Sequence, residues 1–263
     1  MSLSCETLIV DVAGHVATVT LNRPDVRNAF NETMIAEITS AFETLGARDD
    51  VRAIVLAASG RAFCAGADLN WMKKMAGYSD DENHADAMRL ARMLSAVYRA
   101  PQPVIARVHG DAYAGGVGLV CAADVVVASD DAHFCLSEAR LGLMPATIAP
   151  YVIRALGEQA SRRYFTTAEV FDCEKAERLG LVGERVSADR LDAAVEHIAD
   201  ALCSNSPNAV RECKRLVQDV AGAPIDDALI EDTATRIARI RASAEGREGV
   251  ASFLKKRTPS WRH

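Results

Sequence analysis

The segment Arg61-Ala62-Phe63-Cys64-Ala65-Gly66-Ala67-Asp68-Leu69 follows an apolar, strand-like run and leads toward a helix-forming sequence. A second segment of the same kind, His109-Gly110-Asp111-Ala112-Tyr113-Ala114-Gly115-Gly116-Val117-Gly118, follows the strand-like run 104–108. Small residues at strand-to-helix turns let the backbone approach a ligand closely, and the free N–H groups of a helix's first turn favour negative charge. The two turns therefore predict a backbone site for a developing oxyanion, although tight turns without a ligand would carry the same residues.

The periodicity on either side of these turns predicts an α/β fold. Alternating apolar residues on both sides of Ala13-Gly14 predict a β-hairpin over residues 7–22. Asn31 is placed to cap a helix that Gly46 would end, and a strand is expected over residues 52–58. A second helix, with Leu90, Met93, Leu94 and Val97 on its inward face, precedes the strand 104–108.

This ββα order recurs along the chain, which predicts stacked turns of a spiral. From about residue 205 the pattern changes to helices alone, with Val210, Cys213 and Leu216 on one apolar face. We therefore expect a ββα core over residues 1–200 and a C-terminal α-helical region over residues 201–263.

The composition is that of an ordinary folded protein. The chain has 263 residues, of which 49% are hydrophobic and 25% charged, and its net charge of −6 disfavours nucleic acid or an anionic membrane as the main partner. The seven cysteines are odd in number and show no C-x-x-C spacing, so we expect reduced, mostly buried thiols. With no basic leader at the N-terminus and no run of about 20 apolar residues, a cytoplasmic location is expected.

Several common chemistries have no motif in this sequence. There is no H-E-x-x-H pattern for a metal and no G-x-S-x-G nucleophile turn. The glycines at 115, 116 and 118 are followed by Leu119 rather than by the Lys-Ser/Thr of a phosphate loop, and they do not complete a dinucleotide fingerprint. No metal or redox cofactor is therefore expected.

Taken together, several segments resemble the crotonase (enoyl-CoA hydratase/isomerase) family. They lie in the family's order over nearly the whole chain and include Leu21-Asn22-Arg23-Pro24, Ala65-Gly66-Ala67-Asp68-Leu69, Gly115-Gly116, Phe134-Cys135-Leu136-Ser137-Glu138 and Gly142-Leu143-Met144-Pro145. The resemblance implies a crotonase-like spiral with a C-terminal trimerisation region, and hence a homotrimer or a dimer of trimers. It also implies an acyl-CoA thioester as substrate, with no separate cofactor because CoA is part of that substrate.

The resemblance also assigns the site residues. The oxyanion hole falls on the N–H groups of Ala67 and Gly115, whose stabilisation of an enolate can be worth ~3 kcal/mol for each donor. The CoA contacts fall on residues of two segments: Arg27, Ala29, Ala65, Gly66, Asp68 and Leu69. For Asp68, a role in holding the loop is the preferred interpretation.

The sequence departs from the family's hydratases in its acid/base residues. Those hydratases carry two glutamates, of which this chain matches only the second, at Glu138, while Gly118 stands in place of the first. One carboxylate suffices for a double-bond shift, which favours a Δ3,Δ2-enoyl-CoA isomerase. The segments 66–72, 134–140 and 162–169 instead look most like the bacterial methylglutaconyl-CoA hydratase branch, which also lacks the first glutamate. In that case Glu138 would perform both proton transfers, and Gly118 would leave space for a branched acyl group.

Three further interpretations stay open. Lys73, Lys74 or Arg140 could bind a distal carboxylate of the substrate, and the basic stretch 255–257 could meet a CoA phosphate or form a solvated end. A eukaryotic relative of this branch binds RNA through a lysine-rich helix, but the acidic chain offers little for that role. A non-catalytic acyl-CoA-binding homologue is the remaining alternative, against which the retained Glu138 argues.

Overall fold

Two β-sheets and the helices that cover them form the protein core in the computed structural model, which describes residues 4–262. The strands are β1 (Leu8–Ala13), β2 (Val16–Leu21), β3 (Ala53–Ala58), β4 (Val104–Val108), β5 (Ala112–Tyr113), β6 (Val125–Ser129), β7 (His133–Cys135), β8 (Val170–Asp172) and β9 (Glu184–Val186). The larger sheet has the order β1-β2-β3-β4-β6-β9, and the smaller has the order β5-β7-β8. Among the strand pairs of residues 4–262, only β1–β2 and β7–β8 are antiparallel.

The helices lie between and after these strands. They are α1 (Glu32–Gly46), α2 (Leu69–Met75), α3 (Asp80–Arg99), α4 (Gly115–Ala122), α5 (Ala149–Thr167), α6 (Cys173–Arg178), α7 (Leu191–Cys203), α8 (Pro207–Val220), α9 (Asp227–Ala242) and α10 (Ala244–Leu254). The hairpin of β1 and β2 and the Asn31-capped helix α1 are confirmed, as is the α/β class with its C-terminal helical region. The predicted boundary near residue 200 falls inside α7 and stays a prediction.

Strand β3 shows why the larger sheet is rigid. All six of its residues are buried because helices cover both faces of the sheet. Ile54 and Leu56 belong to the main core with α1 and α3, whereas Val55 and Ala57 pack on the other face against α7. This double coverage fixes the strand ends from which the loops of the site extend.

The C-terminal helices are attached to the core by a polar face of α8. Lys214 Nζ lies 2.7 Å from the carboxylate of Asp124 and also donates to the carbonyl of Gln102. Arg211 donates to the carbonyl of Arg48, and Gln218 donates to that of Tyr98. Several large apolar residues of the tail, among them Val217, Ile225 and Phe253, are exposed.

All seven cysteines are free thiols. Four of them, at positions 64, 121, 135 and 173, are buried. Burial raises the pKa of Cys64 to about 12, so this thiol stays protonated at neutral pH. The expectation of mostly buried thiols agrees with this burial, and their reduced state stays a prediction.

Asn28 joins the loop before α1 to the loop after β3. It is fully buried and adopts a left-handed φ of 54°. Its Nδ2 donates to the carbonyls of Ser59 and Ala62 at 2.8 and 2.9 Å, and its Oδ1 accepts from the backbone N–H of Arg23 at 2.8 Å. One side chain thus satisfies two carbonyls and one N–H that would otherwise be buried without partners.

Substituting Asn28→Ala removes these three hydrogen bonds and places an alanine at a positive φ. We expect the free energy of unfolding to fall by roughly 3 kcal/mol, because each buried group left unsatisfied costs about 1–3 kcal/mol. Denaturant titration measures the change. Asn205→Ala is the matched control, since that exposed side chain makes a single bond to the carbonyl of Ala201. Equal losses in the two variants would contradict the prediction.

Candidate active site

Three short chain segments run parallel and side by side below the site. Ala112 of β5 pairs with Phe134 of β7 on one side and with Cys64 on the other. The carboxyl ends of parallel strands meet at one edge of a sheet, where ligands commonly bind. The residues that follow these segments, at Ala67, Gly115 and Glu138, therefore come together at one edge although they lie far apart in sequence.

The backbone N–H of Ala67 is held out toward this edge by the neighbouring segment. Phe30 forms a parallel bridge with Ala67, in which the Phe30 N–H donates to Gly66 at 2.7 Å and the Asp68 N–H donates to Phe30 at 2.8 Å. In such a bridge the residues on either side make the hydrogen bonds, so the N–H of Ala67 points away from Phe30. Among the backbone hydrogen bonds of residues 4–262, none uses this N–H.

Gly115 begins α4, so its N–H belongs to the unsatisfied first turn of a helix. The preceding Ala114 has a φ of 49°, a conformation that costs about 1–3 kcal/mol in a residue other than glycine, and its N–H is fixed by the carbonyl of Cys135 at 2.8 Å. A Cβ at position 115 would lie 2.8 Å from the ring of Phe30. Glycine is therefore required for this helix end to approach Phe30.

Glu138 enters the site from the end of β7, at the start of a 3-10 helix. Its Oε2 is buried and has no hydrogen-bond partner in the described part of the chain. Burial raises the pKa of this carboxyl above the ordinary range for glutamate, because the charged form is poorly solvated. An unpaired carboxyl with a raised pKa is suited to taking up and releasing a proton.

Ala67, Gly115 and Glu138 line one cavity of about 610 Å³, a volume typical of small-molecule sites. Apolar side chains form most of its wall. The lining residues are Phe30, Ala67, Trp71, Met75, Asn83, Asp86, Ala87, Leu90, Ala114, Gly115, Glu138, Gly142, Leu143, Met144, Pro145, Ala146, Thr147 and Ile148. The structure thus brings the three residues predicted for catalysis into one space.

The residues predicted to contact CoA lie on two loops that hydrogen-bond to each other beside Ala67. The Ala65 N–H donates to the carbonyl of Arg27 at 3.0 Å, and the side chains of Arg27, Ala65 and Leu69 are exposed. Ala29 and Gly66 are buried. None of the predicted CoA residues lines the cavity itself, and their contact with CoA stays a prediction.

Asp68 is fully engaged within its own loop. Its carboxylate caps α2 by accepting from the N–H groups of Asn70 and Trp71, and it pairs with Arg23 at 3.0 Å. These bonds hold the turn that carries the Ala67 N–H. The carboxylate is thus committed to the loop, in line with the role preferred from the sequence.

The cations proposed from the sequence for a distal carboxylate do not line the cavity. Lys74 pairs with Glu32 at 2.8 Å, Lys73 is exposed, and Arg140 donates to the carbonyl of Ala168. At the C-terminal end, Arg257 forms a bidentate pair with Glu248. None of these groups is placed to bind an acyl chain within one protomer.

The space expected at Gly118 is already filled. A Cβ at this position would lie 2.8 Å from the Cβ of Ile148 and closer still to its Cγ2. Ile148 is 2% exposed and lines the cavity itself. The expectation that Gly118 leaves space for a branched acyl group is therefore wrong, because the isoleucine packs directly onto the glycine.

Asp86 is a cavity residue that the sequence analysis missed. It is 4% exposed, and its Oδ1 accepts from Trp71 Nε1 at 3.4 Å and from Arg89 at 2.6 Å. Its position one turn before Leu90 puts it on the inward face of α3, and a polar residue on that face was the available signal. The bond to Asp86 fixes the indole of Trp71, which forms one wall of the cavity.

Across residues 4–262, no group of three or more His, Cys, Asp or Glu side chains is arranged to hold a metal ion. In the same part of the chain, no helix combines the length and the apolar character needed to cross a membrane.

Two N–H donors and one unpaired carboxyl in an apolar cavity define an enzyme site of the class that stabilises an oxyanion beside an acid/base group. The family model described as enoyl-CoA hydratase/isomerase matches residues 11–263. The chain belongs to this family, as its motifs had indicated.

Solved and curated relatives agree with this assignment. The crystal structure of an enoyl-CoA hydratase from Shewanella pealeana is 44% identical, covers 97% of this chain and 96% of its own, and superposes with a TM-score of 0.95. An enoyl-CoA hydratase structure from Mycobacterium smegmatis is 37% identical, with coverages of 98% and 99% and a TM-score of 0.92. The mevalonyl-coenzyme A hydratase of Aspergillus fumigatus is 32% identical over 252 residues, covering 94% of this chain and 92% of its own.

The raised pKa of Glu138 predicts a pH-dependent cost in stability. Between its ordinary and its folded pKa the folded protein binds more protons than the unfolded chain, so stability falls as the pH rises through that window. Glutamine cannot ionise. We expect the free energy of unfolding of Glu138→Gln to match that of the wild type at about pH 4 and to exceed it at about pH 8.

Denaturant titrations at the two pH values measure this difference. Glu158→Gln is the control, because it makes the same substitution at a side chain that is 80% exposed. An equal effect of Glu138→Gln at both pH values would be incompatible with a buried, unpaired carboxylate.

Proposed function

We propose that this protein is an enoyl-CoA hydratase that adds water across the 2,3-double bond of an acyl-CoA thioester. The observation that carries the proposal is the unpaired Oε2 of Glu138 in the cavity that Ala67 and Gly115 also line. Glu138 takes a proton from water while the water oxygen bonds to C3. The electrons of the double bond move onto the thioester oxygen, and the enolate then reforms the carbonyl as C2 takes the proton back from Glu138.

The two backbone donors lower the barrier because negative charge on the thioester oxygen grows toward the transition state. Fixed donors of this kind are worth about 3 kcal/mol each when they need no reorganisation. Here one N–H is fixed by the bridge to Phe30 and the other by the start of α4. Residues Arg27, Ala29, Ala65, Gly66, Asp68 and Leu69 form the CoA side of the site in this proposal, and CoA arrives as part of the substrate.

For the acyl group, we propose 3-methylglutaconyl-CoA or a similar branched acyl-CoA. The support is the resemblance of segments 66–72, 134–140 and 162–169 to that hydratase branch, together with a relative whose name refers to mevalonyl-coenzyme A. The cavity wall near Glu138 contains hydrocarbon from Ile148, which suits an alkyl branch.

A Δ3,Δ2-enoyl-CoA isomerase is the second candidate, favoured by the single carboxyl near the two donors. Within the cavity lining, the other carboxylate, Asp86, is already paired with Arg89. One purified sample offered crotonyl-CoA, a 3-enoyl-CoA and 3-methylglutaconyl-CoA separates the two reactions by mass spectrometry. Hydration adds the mass of water, whereas isomerisation leaves the mass unchanged and moves the double bond.

Substituting Glu138→Gln is expected to lower kcat at least about 100-fold, because the amide cannot exchange a proton with water or with C2. Product formation and incorporation of deuterium at C2 in heavy water should fall together. Glu158→Gln should retain wild-type turnover, since its side chain is remote and exposed. Unchanged turnover in Glu138→Gln would remove this residue from the mechanism.

We further propose a homotrimer or a dimer of trimers built through the C-terminal helices. The tail exposes a series of large apolar side chains whose burial would be favourable. They include Val217, Ile225, Ile230, Val250, Phe253 and Leu254, of which Ile225 is 87% and Phe253 is 83% exposed.

Light scattering during gel filtration should give three or six times the chain mass of 28.2 kDa. Phe253→Asp should shift the mass toward the monomer, because it places a charge on the apolar face. Lys255→Asp, an exposed charge change nearby, should leave the mass unchanged. A monomeric wild-type protein would refute the assembly.

A further inference from the structure

Ile148 lies between the cavity that holds Glu138 and residue Gly118 of α4. It immediately precedes α5, is 2% exposed, and contributes to the wall of the cavity that holds Glu138. On its other side it packs against Gly118 of α4, at the position where relatives with two glutamates carry the first one. Its hydrocarbon therefore fills the space beside Gly118 and forms part of the cavity wall.

The contact between Ile148 and Gly118 leaves no room for a residue larger than glycine at position 118 of α4. A Cβ at position 118 would be 2.8 Å from the Cβ of Ile148 and 3.6 Å from the Cδ2 of Leu94. Because the backbone of α4 also carries the N–H of Gly115, the helix cannot shift away from Ile148 without moving the oxyanion hole. Any change of volume at this contact must be absorbed by movement of the Ile148 side chain toward the cavity.

We propose that Ile148 determines which substituent the acyl chain carries at C3, the carbon that receives water, and that it favours an alkyl branch there. This inference rests on the proposed function, in which Glu138 and the two N–H groups fix the reacting atoms. An isoleucine side chain gains contact from a methyl group and offers no hydrogen bond to a polar one. One methylene in such a pocket changes selectivity about 10- to 200-fold.

The test compares crotonyl-CoA, 3-methylcrotonyl-CoA and (Z)-3-methylpent-2-enoyl-CoA, which all keep one methyl group on C3 and carry hydrogen, methyl and ethyl, respectively, at its other position. The wild type should prefer the methyl-branched substrate in kcat/KM. Ile148→Ala should move the preference from methyl to ethyl by about tenfold, because it opens space beside C3. Gly118→Ala should shift the preference in kcat/KM away from the ethyl-branched substrate, because the added methyl group pushes Ile148 toward the cavity. The double variant Gly118→Ala, Ile148→Ala should recover turnover of the branched substrates, because the smaller side chain at position 148 leaves room for both.

Val152→Ala is the matched control. Val152 is fully buried one turn further along α5 and does not line the cavity, so its truncation should reduce stability and leave the substrate ratios within about twofold. Unchanged ratios in Ile148→Ala would overturn the proposal. An equal shift in Val152→Ala would also overturn it, because the effect would then come from general loosening of the core.

Calorimetric binding of butyryl-CoA, 3-methylbutyryl-CoA and 3-methylpentanoyl-CoA separates this proposal from the hydratase proposal. These saturated thioesters cannot be hydrated, so they report on the fit at C3 alone. If no enoyl-CoA gains water but the binding preference still follows residue 148, only the proposed reaction fails. If substitution of residue 148 changes the substrate preference in neither binding nor turnover, the role of Ile148 is refuted.

Discussion

The parallel alignment of three short segments, at Cys64, at β5 and at β7, is the constraint on which the site depends. Each segment ends at the same edge, and each continues into one functional group. Backbone hydrogen bonds set these positions to within a few tenths of an ångström, which side chains on flexible loops could not do. The strands that precede these segments, β3, β4 and β6, are neighbours in the larger sheet, which is covered by helices on both faces.

The site contains polar groups that have hydrogen-bond partners in most folded proteins but lack them here. Two N–H groups are left without backbone partners, Ala114 adopts a strained φ, and a carboxyl oxygen of Glu138 is buried alone. Each of these features costs stability. Neighbouring hydrogen bonds, such as those of Asn28 and Asp68, compensate by fixing the surrounding loops.

Ile148 packs onto Gly118, which stands where the resemblance aligned the first glutamate of the family's hydratases. Position 118 does not open an empty space, because a side chain from the start of α5 occupies it. The cavity wall at this point is hydrocarbon, and Glu138 belongs to the lining of the same cavity.

The sequence by itself determined the class of fold and the family. Periodicity predicted the hairpin of β1 and β2 and helix α1, because local alternation and capping depend on neighbours in the chain. The order of motifs indicated the family. Small residues at Ala67 and Gly115 also marked the backbone turns, since glycine and alanine are required where the main chain itself binds.

Only the tertiary structure decided what surrounds those turns. Ile148 lies thirty residues beyond Gly118, and no local pattern shows that its side chain fills the space beside that glycine. Asp86 appeared as one polar residue on a helix, and its place in the cavity depends on how α3 packs near Trp71. Packing between distant segments sets cavity shape and burial, so the pKa of Glu138 and the wall that faces the acyl chain could be read only from the folded chain.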